Sequence, residues 1–403
     1  MNIIFLGGFF PEQFTNSILI KSKLQVQHAA NNFQWAFIKG LEQNLNHPIK
    51  LITAPFIGWY PKYYTDLFIN TASFSNNGDK NTGVLVGFLN LPLIKNVFRF
   101  FNLYPVINKY LLRDERNVLI IYSLDFDLLK VALSAKKKNP NTTICVIITD
   151  CYDWKENNGY LHKFKLKHIV NQLPLKLLAK IDCFVVLTDK MVDYLKIGNK
   201  PWVRIEGLYD EMENSYVDSN QKDPSNKIIL YTGTLEYPYG IVALLEAFKL
   251  IKADNYRLWI CGSGSGVNMV IKCAKEDERI TYYGIVDKQK IAELQNKATI
   301  LVNPRNTIGQ YNQYSFPSKT MEYLASGTPA LIYKLDGIPE EYFEYCYTVC
   351  DNTVESLADA IYNTCQLDSV TLRLKGQIAR DFILKNKNAK IQCNKVLGMI
   401  NNV

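Results

Sequence analysis

The sequence has few histidines and no long apolar segment, and these two shortages exclude several classes of protein. Only four His occur in 403 residues, and they form no motif with the nine Cys. Cys346 and Cys350 are the closest pair of thiols, but no second pair or nearby His completes a zinc site. No stretch reaches the roughly 18 uncharged apolar residues that a membrane-spanning helix needs. We therefore expect neither a structural zinc site nor an integral membrane protein.

The remaining composition is that of a globular protein. Hydrophobic residues make up 48% and charged residues 21%, so the chain has enough apolar surface to bury. The chain opens without a basic segment followed by an apolar one, and most Cys lie inside apolar runs. The expected location is the cytoplasm, with peripheral attachment at the inner face of the cell membrane as the only membrane contact.

Positive charge is concentrated in the first half of the chain. Residues 1–200 carry 24 Lys and Arg against 14 Asp and Glu, whereas residues 201–403 carry 22 against 24. Cations interleave with apolar residues at 93–105 and 161–170, which suits an anionic membrane surface. A helix with one solvated charged face is the alternative interpretation. Nucleic acid is not an expected partner, because the basic half lacks a recognition-helix, RNP or OB-type pattern.

Short β-branched runs alternate with amphipathic helical stretches, which predicts an α/β fold with parallel sheets. A polar, acidic and turn-rich segment at 208–226 reads as a linker. The predicted domains are therefore 1–207 and 227–403, each Rossmann-like, with the last helix allowed to pack back on the first domain. Ligands of such sheets bind outside the carboxyl ends of the strands.

One predicted helix, Pro317–Ser326, carries an anion-binding pattern. Pro317 suits its first turn, and Ser315 or Ser318 is predicted to cap it. Its free N–H groups and positive dipole end would bind an anion, and Lys319 adds a positive charge. Glu322 lies one turn further on the same face, where a carboxylate can accept hydrogen bonds from a ribose diol. A capped helix with a solvated Lys and Glu is the alternative.

These motifs resemble glycosyltransferase family 4, whose members are retaining enzymes of the GT-B fold. The run Phe316–Pro329 resembles the family's donor-binding signature, and Gly233–Leu235 and Cys261–Gly264 resemble its two glycine loops. Phe5–Pro11 and Ile148–Asp153 resemble its N-terminal strand and the strand end that faces the acceptor. The resemblance covers nearly the whole chain and implies two Rossmann-like domains that face each other across a cleft.

The resemblance implies a donor site in the second domain and an acceptor site in the first. The implied donor-binding residues are Gly233, Thr234, Gly262, Gly264, Tyr314, Phe316, Pro317, Ser318 and Glu322. Gly7 and Gly8 would let backbone approach the transferred sugar, and Asp150 or Asp153 would hydrogen-bond or deprotonate the acceptor hydroxyl. Turns and helix caps explain these four residues equally well.

The chain departs from the family pattern at three positions. Tyr314 stands where the family has the first of two glutamates, and Thr234 and Tyr239 replace an Arg and a Lys of the phosphate loop. We hypothesise that Arg305 and Lys319 replace these cations, with a structural salt bridge as the alternative for Arg305.

A metal-binding pair of carboxylates is not expected. Asp125 and Asp127 match an Asp-x-Asp metal motif, but they precede and start a predicted helix, where Asp is favoured as a cap. No metal or other cofactor is therefore predicted.

The expected activity is retaining, metal-independent transfer of a hexose-type unit from a nucleotide sugar. The acceptor would be a glycan or a polyprenyl-diphosphate-linked saccharide in surface polysaccharide biosynthesis. A nucleotide-sugar epimerase and a non-catalytic nucleotide- or glycan-binding relative are the alternatives. The sequence leaves the nucleotide, the sugar and the linkage open, because a few loop side chains set specificity.

Overall fold

Parallel strands connected by helices make up both halves of the chain, as the alternation of β-branched and amphipathic segments predicts. The computed structural model describes residues 1–23, 26–76, 81–92, 94–151, 174–209 and 225–403. The chain divides into two units. Unit 1 comprises Met1–Leu208 and Ala389–Val403, and unit 2 comprises Tyr209–Asn388.

Unit 1 contains a sheet in which β1 lies between β2 and β7. The strand order is β10-β9-β8-β7-β1-β2-β5-β4, and all neighbours are parallel except β4 and β5. A separate antiparallel pair joins β3 and β6. The strands are β1 Asn2–Gly7, β2 Lys50–Thr53, β3 Phe68–Ile69, β4 Ala72–Asn76, β5 Asn81–Leu85, β6 Phe88–Leu89, β7 Asn117–Tyr122, β8 Thr142–Ile148, β9 Cys183–Val186 and β10 Trp202–Arg204.

Unit 2 contains a parallel sheet in which β11 lies between β12 and β14. The strand order is β13-β12-β11-β14-β15-β16. The order reverses at β11, and such switch points are where ligands of open sheets bind. The strands are β11 Lys227–Thr232, β12 Tyr256–Cys261, β13 Ile280–Gly284, β14 Ile300–Asn303, β15 Ala330–Tyr333 and β16 Tyr347–Val349.

Helices connect the strands of both units and bury apolar faces against the sheets. They are α1 Glu12–Lys21, α2 His28–Glu42, α3 Lys95–Tyr110, α4 Phe126–Lys138, α5 Lys190–Tyr194, α6 Ile241–Leu250, α7 Val267–Glu276, α8 Lys288–Lys297, α9 Ser318–Ser326, α10 Val354–Gln366, α11 Ser369–Asn386 and α12 Ala389–Asn401. Within the described ranges, no helix is long and apolar enough to span a bilayer.

The C-terminal helical stretch is two helices rather than one. It is interrupted at Lys387, and α12 belongs to unit 1, where Cys393 lies in the core. A Cβ on Gly40 would lie 2.3 Å from the Ala389 carbonyl oxygen, so α12 packs closely on α2. Most of the predicted linker lies outside the described residues, as does the basic stretch at 161–170.

Candidate functional site

The predicted donor residues of unit 2 lie at one edge of its sheet. Because β11 pairs with β12 on one side and β14 on the other, the carboxyl ends of these strands are adjacent. The Gly233 N–H donates to the Cys261 carbonyl at 3.0 Å, which joins the loops that follow β11 and β12. The structure therefore brings the two predicted glycine loops together.

Close packing between these loops explains two of the glycines. Gly262 has φ +133°, and a Cβ there would lie 1.8 Å from the Gly233 carbonyl oxygen. Gly264 has φ +153°, and a Cβ there would lie 2.6 Å from the Leu235 backbone. Backbone conformation and contact both favour glycine, whether or not a ligand binds.

The carboxylate of Glu236 also lies in this region, and no sequence motif predicted it. Glu236 accepts a hydrogen bond from the Ser265 N–H at 3.1 Å, and the Ser265 hydroxyl donates to the same carboxylate.

The side chain of the predicted donor residue Thr234 is exposed. The backbone carbonyl of Thr234 accepts a hydrogen bond from the Tyr231 hydroxyl at 2.8 Å. Burial raises the pKa of Tyr231 above its usual range, so the phenol stays neutral and keeps the proton that it donates in this hydrogen bond.

The helix α9 begins without a side-chain cap, so the predicted cap by Ser315 or Ser318 is wrong. Pro317 occupies the N-cap position. Ser318 is exposed, while the Ser315 hydroxyl accepts from Arg305 and donates to the Tyr311 carbonyl at 3.1 Å. The Thr320 N–H donates to the Pro317 carbonyl at 2.9 Å, and without a side-chain cap the N–H groups of Ser318 and Lys319 are the ones that an anion would meet at this N-terminus.

Lys319 and Glu322 form an ion pair with each other, as their spacing allows. Lys319 Nζ lies 2.5 Å from Glu322 Oε2, and the two side chains are 31% and 43% exposed. Both groups are therefore accessible from solvent. Burial raises the pKa of the Cys261 thiol to about 11, and the positive charges of Lys319 and Lys290 oppose that rise.

Arg305 is almost fully buried and is not part of a salt bridge within the described ranges. Its Nε donates to Asn312 Oδ1 and its Nη2 to Ser315 Oγ, both at 2.7 Å. The guanidinium lies 4.6 Å from the ring centroid of Tyr311 and 5.4 Å from that of Tyr239. Burial lowers the pKa of Arg305, but a guanidinium remains charged in proteins. The salt-bridge alternative for Arg305 is therefore wrong in the described structure.

The remaining predicted residues of unit 2 differ in accessibility. Phe316 is buried and packs on Tyr342, with ring centroids 5.2 Å apart, so its ring belongs to the core. Tyr314 is half-buried at the end of the 3-10 turn Gln310–Tyr314. The structure thus keeps the aromatic replacement for the family's first glutamate close to the start of α9.

In unit 1, Gly7 and Gly8 are buried at the end of β1. A Cβ on Gly7 would lie 2.1 Å from Gln34 Oε1, and one on Gly8 would lie 2.2 Å from the Phe56 ring. The Gly8 N–H donates to Gln34 Oε1 at 2.9 Å. Packing therefore accounts for both glycines, and the Gly8 N–H is already used.

Asp150 lies at the carboxyl end of β8 and lines a cavity of about 510 Å³ in unit 1. Thr149 and Tyr122 line the same cavity, and the Thr149 hydroxyl donates to Tyr122 Oη at 3.1 Å. Burial raises the pKa of Tyr122 well above its usual range. Asp153 lies outside the described residues.

The Asp-x-Asp pair has a role that differs from the predicted capping. Asp125 stands at the N-cap position of α4, but its side chain makes no capping hydrogen bond. Instead, Arg99 on α3 lies 3.7 Å from Asp125 Oδ2 and 3.1 Å from Asp127 Oδ2. Within the described ranges, no group of three or more His, Cys, Asp or Glu has the arrangement of a metal site.

Comparison with known proteins supports the resemblance seen in the motifs. Residues 226–366 match the family Glycosyl transferases group 1. No curated protein sequence matches the chain. The family match lies within unit 2 and contains the glycine loops, Arg305 and α9.

Solved structures of low sequence identity share the fold over the whole chain. Sucrose-phosphate synthase from Thermosynechococcus elongatus aligns with a TM-score of 0.69 and 14% identity, covering 100% of this chain and 99% of that one. The lipopolysaccharide outer core galactosyltransferase WaaB gives 0.60 and 13%, with the same coverage. HepE from Anabaena in complex with UDP gives 0.62 and 12%, covering 100% of both chains. The chain has the GT-B fold, and its resemblance to glycosyltransferase family 4 is confirmed.

Proposed function

We propose that this chain, a GT-B protein whose second unit matches the group 1 glycosyltransferases, is a retaining glycosyltransferase that uses a nucleotide-sugar donor. The observation that carries the proposal is the uncapped N-terminus of α9, with Lys319 and Glu322 in its first two turns. This helix is bonded to the carboxyl end of β11 through Tyr323 and Thr232. Unit 2 is therefore the proposed donor-binding unit, and unit 1 the acceptor-binding unit.

The N-terminus of α9 suits the diphosphate of the donor. Sugar transfer breaks the bond between the anomeric carbon and a diphosphate oxygen, so negative charge develops on the leaving group. First-turn N–H groups and the Lys319 ammonium would stabilise that charge. An exposed ion pair contributes roughly 0–1 kcal/mol, so opening the Lys319–Glu322 pair costs little. Glu322 would then accept hydrogen bonds from the ribose.

Arg305 is proposed to act on the donor mainly through the loop that precedes α9. Its bonds to Asn312 and Ser315 hold the middle of the 3-10 turn in that loop and the residue that follows the turn. Because its partners are neutral, its positive charge is not cancelled locally and adds to the field at the helix N-terminus. Arg305 would then not contact the phosphate directly, but it would still supply positive charge in place of the cations that Thr234 and Tyr239 replace.

The finer parts of the proposal concern chemistry and cellular role. We propose that a hexose is transferred without a metal ion, to a glycan or lipid-linked acceptor of a surface polysaccharide. The galactosyltransferase WaaB, named for the lipopolysaccharide outer core, supports an acceptor of that kind. The reaction would take place in the cytoplasm, at the inner face of the membrane.

An exposed apolar face of α3 supports the membrane contact. Val97, Phe98 and Phe101 are 50%, 41% and 66% exposed on this helix. The basic residues Lys95 and Arg99, which the sequence placed on a membrane-facing surface, point into unit 1 instead. Apolar insertion rather than charge is therefore the proposed attachment.

Nucleotide binding and turnover test the proposal directly. Purified protein is screened by thermal shift against UDP, GDP, dTDP and ADP and their sugars, with and without EDTA. We expect stabilisation by one nucleotide family, with UDP tested first because the HepE structure contains it. Slow release of the nucleoside diphosphate that EDTA does not reduce is the expected sign of metal-independent transfer.

A matched pair of variants tests the role of α9. Lys319→Met should lower turnover roughly 100- to 1,000-fold, the usual cost of removing a group that stabilises transition-state charge. Lys385→Met removes another exposed lysine of a helical ion pair, with Asp381, and should change neither turnover nor nucleotide affinity. A change of less than about threefold in Lys319→Met, with nucleotide affinity unchanged, would contradict the proposed role.

A non-catalytic nucleotide-binding relative is the second candidate. Thr234 and Tyr239 leave the phosphate loop without side-chain cations, and Glu236 adds a carboxylate next to it. Nucleotide binding without any transfer or release would favour this candidate. No shift with any nucleotide, in folded protein, would exclude the donor site itself.

A further inference from the structure

The cavity of unit 1 contains two cations that the donor site does not use. Lys95 and Arg99 lie one turn apart on α3, and both line the 510 Å³ cavity at the carboxyl ends of β7 and β8. Asp150, the predicted acceptor-binding carboxylate, lines the same cavity. The cavity therefore offers positive charge and a hydroxyl acceptor to a single ligand.

Arg99 is buried with part of its hydrogen-bonding capacity unused. Its side chain is 4% exposed and lies against the rings of Phe56 and Phe88, 5.6 and 6.0 Å from their centroids. Asp127 is its nearest carboxylate, at 3.1 Å from Nε. Nη2 has no hydrogen-bond partner in the described part of the chain. A buried donor of this kind normally has a partner, so a ligand atom would complete the site.

Lys95 lacks an ion pair within the described ranges. Its Nζ donates to the Ile57 carbonyl at 2.6 Å, which satisfies one of three donors. Burial, and then the charge of Arg99, lower the pKa of Lys95 to about 8. An anion between the two side chains would remove this repulsion and restore the ordinary ammonium form.

Carboxylates near the cavity limit what the ligand can be. Asp125 Oδ2 lies 3.7 Å from Arg99 Nη1, and Asp127 Oδ2 lies 3.1 Å from Arg99 Nε. Burial raises the pKa of Asp127, which favours its neutral form. A purely anionic ligand would face Asp150, so a molecule with an anion at one end and hydroxyl groups at the other fits the charges best.

The backbone beside the cavity is also unusual. Ser123, which follows β7 and lines the cavity, has φ +89°, a conformation rare for residues other than glycine. Its N–H donates to the Ile147 carbonyl at 2.9 Å, and its hydroxyl accepts from the Asp125 N–H at 3.2 Å. Such backbone strain is concentrated at functional sites.

We propose that this cavity binds a phosphate group of a sugar acceptor, with Lys95 and Arg99 as the phosphate ligands and Asp150 as the acceptor for a sugar hydroxyl. The inference rests on the proposed function, since it specifies the acceptor class. A guanidinium and an ammonium group match the several oxygens of a phosphate ester. The phosphate belongs either to a soluble sugar phosphate or to a lipid-linked saccharide.

Calorimetric titration tests the site independently of turnover. Glucose 6-phosphate and inorganic phosphate are the anionic probes, and glucose is the neutral control. We expect both anions to bind the wild-type protein, glucose 6-phosphate more tightly than inorganic phosphate because it also supplies hydroxyl groups, and glucose to bind much more weakly. Lys95→Met should weaken anion binding about tenfold or more, whereas Lys109→Met, an exposed lysine on the same helix, should not.

Two further measurements are needed. One decides whether the phosphate belongs to a lipid-linked or a soluble ligand, and the other separates this inference from the proposed function. Competition by vesicles that contain phosphatidylglycerol, but not by neutral vesicles, would assign the phosphate to a lipid; no competition would assign it to a soluble ligand. UDP binding is measured on the same samples. Anion binding with UDP binding and transfer absent would refute the proposed function alone. No anion binding, or equal binding by Lys95→Met, would overturn the phosphate site even where UDP still binds.

Discussion

The Tyr323 hydroxyl satisfies both backbone groups of Thr232 at the carboxyl end of β11. It accepts from the Thr232 N–H at 2.8 Å and donates to the Thr232 carbonyl at 3.1 Å. Both residues are buried. A side chain of α9 thus completes the hydrogen bonding of the central strand, and this fixes the helix against the edge where the glycine loops meet.

Removing that hydroxyl should loosen the donor site. Tyr323→Phe leaves two buried backbone groups of Thr232 without their partner, at a cost of about 1–3 kcal/mol. We expect a lower unfolding free energy in urea and weaker nucleotide binding. Tyr362→Phe is the control, because the Tyr362 side chain is 43% exposed, and it should change stability by less than about 0.5 kcal/mol. Equal stability of the two variants would contradict the structural role of Tyr323.

Two glycines within helices should respond in opposite directions to the same substitution. A Cβ on Gly376 of α11 would lie 1.9 Å from the Gly327 carbonyl oxygen, at the end of α9. Gly376→Ala should therefore cost about 1–3 kcal/mol, as overpacking usually does. A Cβ on Gly398 of α12 meets no atom within 4 Å, so Gly398→Ala should stabilise by about 0.5–1 kcal/mol. Urea unfolding of both variants checks the prediction, and a stable Gly376→Ala variant would show that α11 can move away from α9.

Strand positions in unit 2 could be predicted from sequence better than the contacts around them. The ranges Lys227–Thr232 and Tyr256–Cys261 follow from β-branched and aromatic runs bounded by turn residues. The bond between Glu236 and Ser265 depends on two loops that meet only in the folded sheet. Local patterns contain no information on such an approach, so the carboxylate beside the phosphate loop was missed.

The cations of α3 illustrate the same limit. Their spacing, at positions 95 and 99, indicates a common helix face but does not say whether that face meets solvent or protein. Asp127 on α4 and the ring of Phe56 take up Arg99 in the interior. The sequence therefore predicted that Lys95 and Arg99 lie on one helix face, but tertiary packing determines that this face is directed into unit 1.

Lys95 should make the free energy of unfolding depend on pH between about 8 and 10.5. The groups that line or adjoin its cavity and titrate or carry charge are Arg99, Asp125, Asp127, Asp150, Tyr63, Tyr122 and Cys151. The pKa of Lys95 is about 8 in the folded protein and 10.5 when unperturbed. Between these values the unfolded chain binds more protons than the folded one, so this group makes stability rise with pH.

Lys95→Met should remove that contribution. The variant should be more stable than the wild type at pH 7, by the order of 1 kcal/mol, and this advantage should shrink as pH rises from 8 to 10. Chemical denaturation at pH 7 and pH 9.5 measures the difference. Lys109→Met should track the wild type at both values, and a pH-independent difference for Lys95→Met would contradict the lowered pKa.

The apolar face of α3 should determine binding to vesicles. Phe101→Asp places a charge where the wild type has an aromatic ring that is 66% exposed, and should weaken vesicle binding about tenfold or more. Leu374→Asp on α11, where the leucine is 58% exposed, is the control and should leave binding unchanged. Because Lys95 and Arg99 point inward, added salt should weaken binding only slightly. Co-sedimentation with vesicles at two salt concentrations measures both effects; equal loss in the two variants would exclude α3 as the contact, and strong salt sensitivity would assign the attachment to surface charge.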